Sequence, residues 1–318
     1  MNEMRAALYD SYGPPDVLYE GTLPVPVAKP GEALVRVHAI SVNGGESVLR
    51  EGKLGSLFGR RFPKQTGIDF VGEVVEPAAQ GPGPRAGAMV WGGMPRLRQE
   101  SAAEFVAVSP RRMALSPAGL DPVQAASLPV GTTAITALRD KARLGKGERL
   151  LVRGGSGGVG SIAVQLGRAM GAHVTALAGA KNLDFVRGLG ADEVFDYRTT
   201  SPGDLGAFDV ILDTAGTELP AYHGLLAPGG RMVGITPDAD RILASAAFIL
   251  ASAVFGSRRV RFFSGNPGTS LFDDLTAYVE RGEIRPVVDT VYPLARIADA
   301  HRALEAGGVR GKYVVQVR

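Results

Sequence analysis

A chain of 318 residues with 45% hydrophobic and 21% charged residues is long enough to bury two hydrophobic cores. Its net charge is only +3, and the basic runs Gly59–Lys64 and Ser257–Arg261 are too short to predict a nucleic-acid surface. The absence of cysteine excludes disulfides and thiolate chemistry and is typical of a reducing cytoplasm, so we expect a cytoplasmic protein.

No signal pattern opens the chain, and its longest apolar run, Ile242–Phe255, falls short of the roughly 20 residues that span a bilayer. The first part, to about residue 116, contains short alternating runs broken by Gly and Pro, at Glu32–Val42, Phe70–Glu76 and Glu104–Ser109. This pattern predicts a small β-rich domain. The lack of a signal pattern and the short apolar run lead us to expect no membrane partner.

The middle of the chain alternates strands and helices. A strand leads into a glycine-rich turn, and the following elements are predicted at Ser161–Met170 (helix), His173–Leu177 (strand), Leu183–Leu189 (helix) and Glu193–Asp196 (strand). Such alternation, which continues to Ile235, indicates a doubly wound parallel sheet. The tail then reads as helix, strand, helix, strand and rejoins the first domain. We therefore predict one domain from residues 1–122 and 268–318 and a Rossmann domain over 123–267.

The glycine-rich turn has five glycines in the seven positions from Gly154 to Gly160. Gly155, Gly157 and Gly160 satisfy G-x-G-x-x-G between a strand and a helix, where the pattern binds a dinucleotide pyrophosphate at the helix N-terminus. A turn without a ligand is the alternative, but a turn alone does not need five glycines. We therefore assign residues 155–160, including Ser156, Gly158 and Val159, to a cofactor site.

The end of the second Rossmann strand predicts which nicotinamide cofactor binds. An NAD site places an acid there, about 20 residues past the loop, to hold the ribose 2'-hydroxyl. Here Gly179 leaves room and Lys181 offers a positive charge, which favours the 2'-phosphate of NADPH. Tyr197, after the third strand, either adds a hydroxyl to this pocket or is a partly buried aromatic that caps the strand.

Two oxidoreductase classes are disfavoured by residues the chain lacks. None of the eight tyrosines is followed by lysine four positions later, as the catalytic pair of short-chain reductases requires. A zinc dehydrogenase needs cysteine ligands, and this chain offers only four scattered histidines, His38, His173, His223 and His301, which we interpret as surface or packing residues. We therefore expect no metal.

Several motifs in order resemble the zinc-independent medium-chain dehydrogenases/reductases of the quinone oxidoreductase (ζ-crystallin-like) family. They are SVNGGESVLREG (Ser41–Gly52), TGIDFVGEV (Thr66–Val74), AASLPVGTTAITAL (Ala125–Leu138), LGADEVFDY (Leu189–Tyr197), LLAPGGRMVGI (Leu225–Ile235) and GKYVVQV (Gly311–Val317). The resemblance implies a GroES-like β-barrel catalytic domain joined to the Rossmann domain. The cofactor and a quinone or conjugated carbonyl would lie between the two domains.

The resemblance also implies roles for individual residues. Asn43, Thr133 and Asn266 match positions near the nicotinamide, and Ile235 is expected to bind the cofactor. From the residues alone, Asn43 is a turn or cap residue and Thr133 a helix N-cap. Gly44 and Glu46 depart from the Pro and Asp of the family pattern.

The expected reaction is metal-free hydride transfer from NADPH to a quinone or an α,β-unsaturated carbonyl. Enoyl reduction within a biosynthetic pathway and a structural or regulatory NADPH-binding role are the alternatives. The run Ile242–Phe263 is apolar enough to predict an interface, and the alternative is that Ile242–Phe255 is an internal core helix. We expect a homodimer in which the strand around Val260 pairs with its two-fold mate.

Overall fold

The computed structural model describes residues 3–53, 61–95, 98–236, 248, 252 and 258–318. The chain forms two compact units. The terminal unit comprises Met1–Pro129, Asn266–Gly282 and Pro286–Arg318, and the central unit comprises Val130–Gly265 and Glu283–Arg285. Among the helices of the described ranges, none has the length and apolar character needed to cross a membrane.

The terminal unit is built from two sheets and four short-to-medium helices in its described part. Its strands are β1 (Glu3–Tyr9), β2 (Tyr19–Pro24), β3 (Ala33–Ser41), β4 (Lys64–Gln65), β5 (Asp69–Glu76), β6 (Met89–Gly93), β7 (Phe105–Val108), β8 (Met113–Leu115), β15 (Val288–Pro293) and β16 (Lys312–Gln316). Its helices are α1 (Gly44–Arg50), α2 (Pro122–Ala126), α7 (Thr269–Glu280) and α8 (Ile297–Ala306). A three-stranded sheet has the order β2-β1-β4, and the larger one runs β15-β16-β3-β5-β6-β8, with β7 also paired to β3.

Apolar side chains of β3, β5 and β16 fill the core of the terminal unit, where Val35, Ile40, Phe70 and Val315 are fully buried. The predicted rejoining of the tail is visible here, because β16 pairs antiparallel with β3. Helix α2 packs on β3 and β5 and therefore groups with this unit, whereas the sequence placed residues 123 onward in the Rossmann domain.

The central unit is an open sheet in which every neighbouring pair of strands is parallel, as predicted. The strand order is β11-β10-β9-β12-β13-β14. The strands are β9 (Arg149–Arg153), β10 (His173–Ala178), β11 (Glu193–Asp196), β12 (Phe208–Asp213), β13 (Leu226–Gly234) and β14 (Arg259–Phe262). The helices are α3 (Gly131–Ile135), which continues as a π-helix over Thr136–Ala142, α4 (Gly158–Ala169), α5 (Leu183–Gly188) and α6 (Leu219–His223).

Strand β14 lies at one edge of this sheet among the described strands, as predicted for the segment around Val260. The backbone N–H of Val260 donates to Ser252 Oγ at 3.1 Å, within the same chain. Of the apolar run Ile242–Phe255, only Phe248 and Ser252 are described; Phe248 packs against the central core, and the rest lies outside the described residues.

Candidate functional site

The glycine loop after β9 leaves no room for side chains at its ends. Gly154 has φ +78°, in the region that favours glycine. A Cβ on Gly160 would lie 2.0 Å from the carbonyl oxygen of Gly154, so the first turn of α4 packs directly on the loop backbone. A Cβ on Gly155 would lie 3.0 Å from that of Ala176. These contacts explain two of the three motif glycines by packing alone.

Gly157 differs, because a Cβ there would meet only the Gly154 carbonyl oxygen, at 3.6 Å. It is the N-cap of α4, and its φ of −76° is open to any residue. Beyond it, Gly158, Val159 and Gly160 begin a 12-residue helix whose first N–H groups have no intrahelical acceptor. The space at Gly157 and these amides form a cradle that fits a pyrophosphate.

The end of β10 carries the residues predicted to surround a 2'-phosphate. A Cβ on Gly179 would lie 3.6 Å from the ring of Tyr197, so the two adjoin. Tyr197 is 52% exposed. Lys181 lies in the 3-10 turn Ala180–Asn182 and is exposed. Arg198, whose guanidinium lies 5.5 Å from the Tyr197 ring centroid, adds a second cation that the sequence analysis missed.

Under the loop, a buried ion pair joins the carboxyl ends of β9 and β12. Arg153 donates to Asp213 Oδ1 at 2.9 Å and to the Thr217 carbonyl at 2.6 Å, and its guanidinium stacks 3.6 Å from the Tyr222 ring centroid. Burial raises the pKa of Asp213, while Arg153 opposes that shift. No local sequence pattern predicts this pair.

Two further contacts tie this edge of the sheet to the predicted cofactor residues. Thr214 donates its hydroxyl to the Arg153 carbonyl at 2.6 Å. The N–H of Ile235 donates to the Asp213 carbonyl at 3.1 Å. The ion pair and these bonds therefore connect the glycine loop with Ile235 across the carboxyl ends of β9, β12 and β13.

Thr133 lies inside α3, not before it. The helix begins at Gly131 with Val130 as its N-cap, so the interpretation of Thr133 as a cap residue is wrong. The residue is half-buried, and its Oγ1 lies 3.5 Å from the position of a Cβ on Gly265. The cap signal misled because Thr132 and Thr133 follow a glycine that already belongs to the helix.

Asn43 is the N-cap of α1, but its side chain makes no capping bond to the helix backbone. Its amide nitrogen faces Asp69 Oδ2 at 2.9 Å and Glu46 Oε1 at 3.1 Å. Its amide oxygen accepts from Lys312 Nζ at 2.7 Å. The half-buried side chain therefore belongs to a largely buried polar network, and its amide hydrogens already have acceptors.

Two oppositely charged side chains lie at the centre of this network. Asp69 accepts from the N–H and the hydroxyl of Ser41, at 2.7 and 2.5 Å. Burial raises the pKa of Asp69, and the Lys312 ammonium opposes that shift. Burial lowers the pKa of Lys312, and Asp69 and Glu46 oppose it. Lys312 also donates to the Val42 carbonyl at 2.6 Å.

The network continues through α1 to helix α8. Thr66 donates to Glu46 Oε2 at 3.0 Å, and His301 Nε2 lies 3.5 Å from the same oxygen. Arg50 Nη1 lies 3.1 Å from His301 Nδ1. Because a guanidinium only donates, we assign His301 the neutral tautomer with its proton on Nε2. Glu46, Arg50 and His301 are fully buried, so His301 is a packing residue, as expected.

Asn266 lies in the terminal unit, where its amide oxygen accepts from Arg112 at 2.5 Å. In the described residues there is no cluster of three His, Asp or Glu side chains placed to hold a metal ion. The structure thus gathers residues 154–160, Gly179, Lys181, Tyr197, Ile235 and Thr133 in the central unit. Asn43 and Asn266 belong to the terminal unit.

Comparison with known proteins places this arrangement in a family. Residues 29–117 match the alcohol dehydrogenase GroES-like domain, and residues 189–315 match a family described as zinc-binding dehydrogenase. The predicted fold class, a GroES-like domain plus a parallel-sheet Rossmann domain, is confirmed.

Full-length relatives extend these matches. The mitochondrial NAD(P)H oxidoreductase RTN4IP1 of Danio rerio is 34% identical, over 99% of this chain and 91% of the relative. A chloroplast envelope quinone oxidoreductase homolog of Arabidopsis thaliana is 31% identical, over 98% of both chains. The solved quinone oxidoreductase from Coxiella burnetii superposes with a TM-score of 0.90, at 28% identity, over 99% of this chain and 100% of that one.

The chain therefore belongs to the medium-chain dehydrogenase/reductase family, among the NAD(P)H-dependent oxidoreductases related to quinone oxidoreductase. The names of two relatives place those proteins in mitochondria and at the chloroplast envelope, and a cytoplasmic location for this protein stays a prediction.

Proposed function

We propose that this protein transfers hydride from NADPH to a quinone or an α,β-unsaturated carbonyl, without a metal. The observation that carries the proposal is the set of residues at the carboxyl ends of the central strands. Tyr197 and Arg198 follow strand β11, whose last residue, Asp196, accepts a hydrogen bond from the N–H of Arg198. At the end of the neighbouring strand β10, a glycine cradle adjoins Gly179 and Lys181, and no acid is present. A carboxylate at this strand end would repel a 2'-phosphate, whereas two cations attract it.

The central unit does the binding in this proposal. Amides of Gly158, Val159 and Gly160 hold the pyrophosphate, and the open space at Gly157 admits it. Lys181 and Arg198 neutralise the 2'-phosphate, and the Tyr197 hydroxyl donates to it. Ile235 contributes an apolar contact at the end of β13. Asn266 remains a proposed cofactor contact from the terminal unit.

NADPH supplies a hydride from C4 of its nicotinamide when bound. With an enone, the β-carbon would receive this hydride and the electron pair of the C=C bond would move towards the carbonyl oxygen. Solvent would supply the proton at the α-carbon, and the cofactor would be left oxidised. The protein's task is to place hydrogen-bond donors at that oxygen, where each donor is worth about 3 kcal/mol.

Thr133 and Asn43 are the proposed catalytic residues. Thr133 presents a half-buried hydroxyl from α3. Asn43 is half-buried too, but its amide hydrogens face Asp69 and Glu46, so a direct bond to substrate requires one of these contacts to break. Backbone amides therefore carry more of the oxyanion stabilisation in this proposal than the Asn43 side chain does.

The test is NADPH oxidation with a panel of quinones, enones and enoyl thioesters. Turnover with quinones or simple enones supports the proposal, and turnover confined to enoyl thioesters replaces it with enoyl reduction. Tight NADPH binding without turnover on any acceptor would instead indicate a structural or regulatory role.

We also propose a homodimer through the edge of β14. The edge carries Arg259 and Arg261, and the N–H of Val260 is already bonded to Ser252. Val260→Pro would therefore break a contact within the chain, so Phe262→Pro, two residues along the same edge, is the cleaner variant. Light scattering should show a dimer for the parent and a monomer for Phe262→Pro; a monomeric parent at micromolar concentration contradicts the proposal.

A further inference from the structure

The network around Asn43 contains four buried charged side chains. Its fully or nearly fully buried charged members are Asp69, Glu46, Lys312 and Arg50. Two are acids and two are bases, so their formal charges cancel. His301 is neutral in the assigned tautomer, and Glu305, a third exposed, accepts from Arg50 at 2.6 Å and carries the network to solvent.

Lys312 has a particular place in this network. It begins β16, and its ammonium donates to the carbonyl of Val42 and to the side-chain oxygen of Asn43, at 2.6 and 2.7 Å. Ammonium groups only donate, so Lys312 requires that the oxygen of the Asn43 amide points towards it. The nitrogen must then face Asp69 and Glu46, which as carboxylates only accept.

From this geometry we infer that Lys312 is a positioning residue for the proposed reaction. It sets the amide orientation of Asn43 and holds the turn between β3 and α1 against strand β16. The inference rests on the proposed function, because it assumes that Asn43 lies beside the reacting groups. Lys312 itself is 5% exposed and acts through Asn43, so it is not a catalytic residue.

Loss of the ammonium would have two consequences. The Asn43 amide would be free to flip, and the charge balance of the network would fail. Lys312→Met leaves Asp69 from β5 and Glu46 from α1 with only Arg50 as a buried cation. Ser41 and Thr66 donate to these two acids, and neutral His301 lies 3.5 Å from Glu46. Burial raises the pKa of Asp69 and Lys312 opposes that shift, so without the ammonium Asp69 should take up a proton, which restores the charge balance.

The sign of the pH dependence follows. In Lys312→Met the raised carboxyl pKa means that activity is retained at low pH and lost as the pH rises through that value. We expect kcat with a conjugated acceptor to fall about tenfold, the scale of one lost hydrogen bond to a charged group. It should fall further as the pH rises. The Kd for NADPH should change little, because its proposed contacts belong mainly to the central unit.

Three comparisons make the experiment decisive. Lys312→Arg keeps the charge and should keep the parent's pH profile even where kcat is reduced. Lys53→Met removes a half-exposed surface lysine, which pairs with Glu51, and should match the parent. In the parent, hydrogen exchange of the Asn43 side-chain amide, assigned by its loss in Asn43→Ala, should be slower than that of an exposed asparagine.

A Lys312→Met variant with the kcat and pH profile of Lys53→Met overturns the inference. So does an Asn43 amide that exchanges as fast as an exposed one, a result that does not depend on whether the variant folds. If none of the tested acceptors supports NADPH oxidation by the parent, the proposed function fails. Amide exchange still decides whether Lys312 holds Asn43.

Discussion

Alanine substitutions at Gly160 and Gly157 should separate the two tasks of the glycine loop. At Gly160 the new methyl group would lie 2.0 Å from a backbone oxygen and 2.7 Å from the adjoining carbonyl carbon of Gly154. Neither neighbour is a flexible side chain, so the loop and the first turn of α4 must move apart. At Gly157 the only neighbour is 3.6 Å away, which is ordinary contact.

The magnitudes follow from these distances. Forcing a methyl group into a packed backbone contact costs about 1–3 kcal/mol, which the better helix propensity of alanine offsets by at most about 1 kcal/mol. At about 2–4 °C per kcal/mol, Gly160→Ala should lower the Tm by several degrees. Gly157→Ala should cost less than about 1 kcal/mol of stability, the difference between glycine and alanine at an N-cap. Because its methyl group occupies the space a pyrophosphate needs, NADPH binding should weaken at least tenfold, or about 1.4 kcal/mol.

Thermal unfolding without cofactor and fluorescence titration with NADPH measure the two effects. The reasoning predicts that Gly160→Ala loses stability and that Gly157→Ala loses binding at nearly unchanged Tm. A Gly157→Ala variant that binds NADPH as tightly as the parent would refute the assignment of this loop as the pyrophosphate cradle. A Gly160→Ala variant with the parent's Tm would refute the packing argument.

Three further predictions concern charge and metal. Lys181→Ala should weaken NADPH binding about tenfold and leave NADH binding unchanged in parallel titrations, the loss of one charge-assisted contact; equal losses for both cofactors would contradict the 2'-phosphate assignment. Prolonged dialysis against a chelator should leave activity unchanged, whereas stoichiometric zinc in the purified protein and its loss with activity would contradict metal independence. Arg231 holds the pKa of Glu148 below its ordinary 4.5, so this carboxylate stabilises the fold above that pH and ceases to as the pH falls through the lower folded value. In urea denaturation, Glu148→Gln should therefore cost about 1 kcal/mol at pH 7 and progressively less below pH 4.5, and a cost independent of pH would contradict this.

Local patterns in the sequence were sufficient to predict the fold of the central unit. Strand and helix alternation predicted the parallel sheet, and Gly155, Gly157 and Gly160 predicted the loop at the end of β9, because both signals depend on neighbours in the chain. Helix ends were less well predicted. The sequence began α4 at Ser161, but the helix starts at Gly158, since its glycines belong to the cradle and to the helix together.

The network around Asn43 had no such local signal. Lys312 lies 269 positions from Asn43, and Asp69 lies 26 positions away, so only the pairing of β16 and of β5 with β3 brings them together. Glu46 appeared in the sequence as a departure from a family pattern, yet it accepts from both Asn43 and Thr66. The pairing of Arg153 with Asp213 was likewise hidden, because neighbouring parallel strands β9 and β12 are separated in the chain by β10 and β11.

The central claim is that hydride passes directly from NADPH to the β-carbon of a conjugated acceptor. The most direct measurement uses NADPH deuterated at both C4 positions, with an enone that the parent protein reduces, in ordinary water. The account predicts one deuterium in the product, at the β-carbon, with an ordinary hydrogen from solvent at the α-carbon. A saturated product without deuterium, or deuterium at the α-carbon, would contradict it.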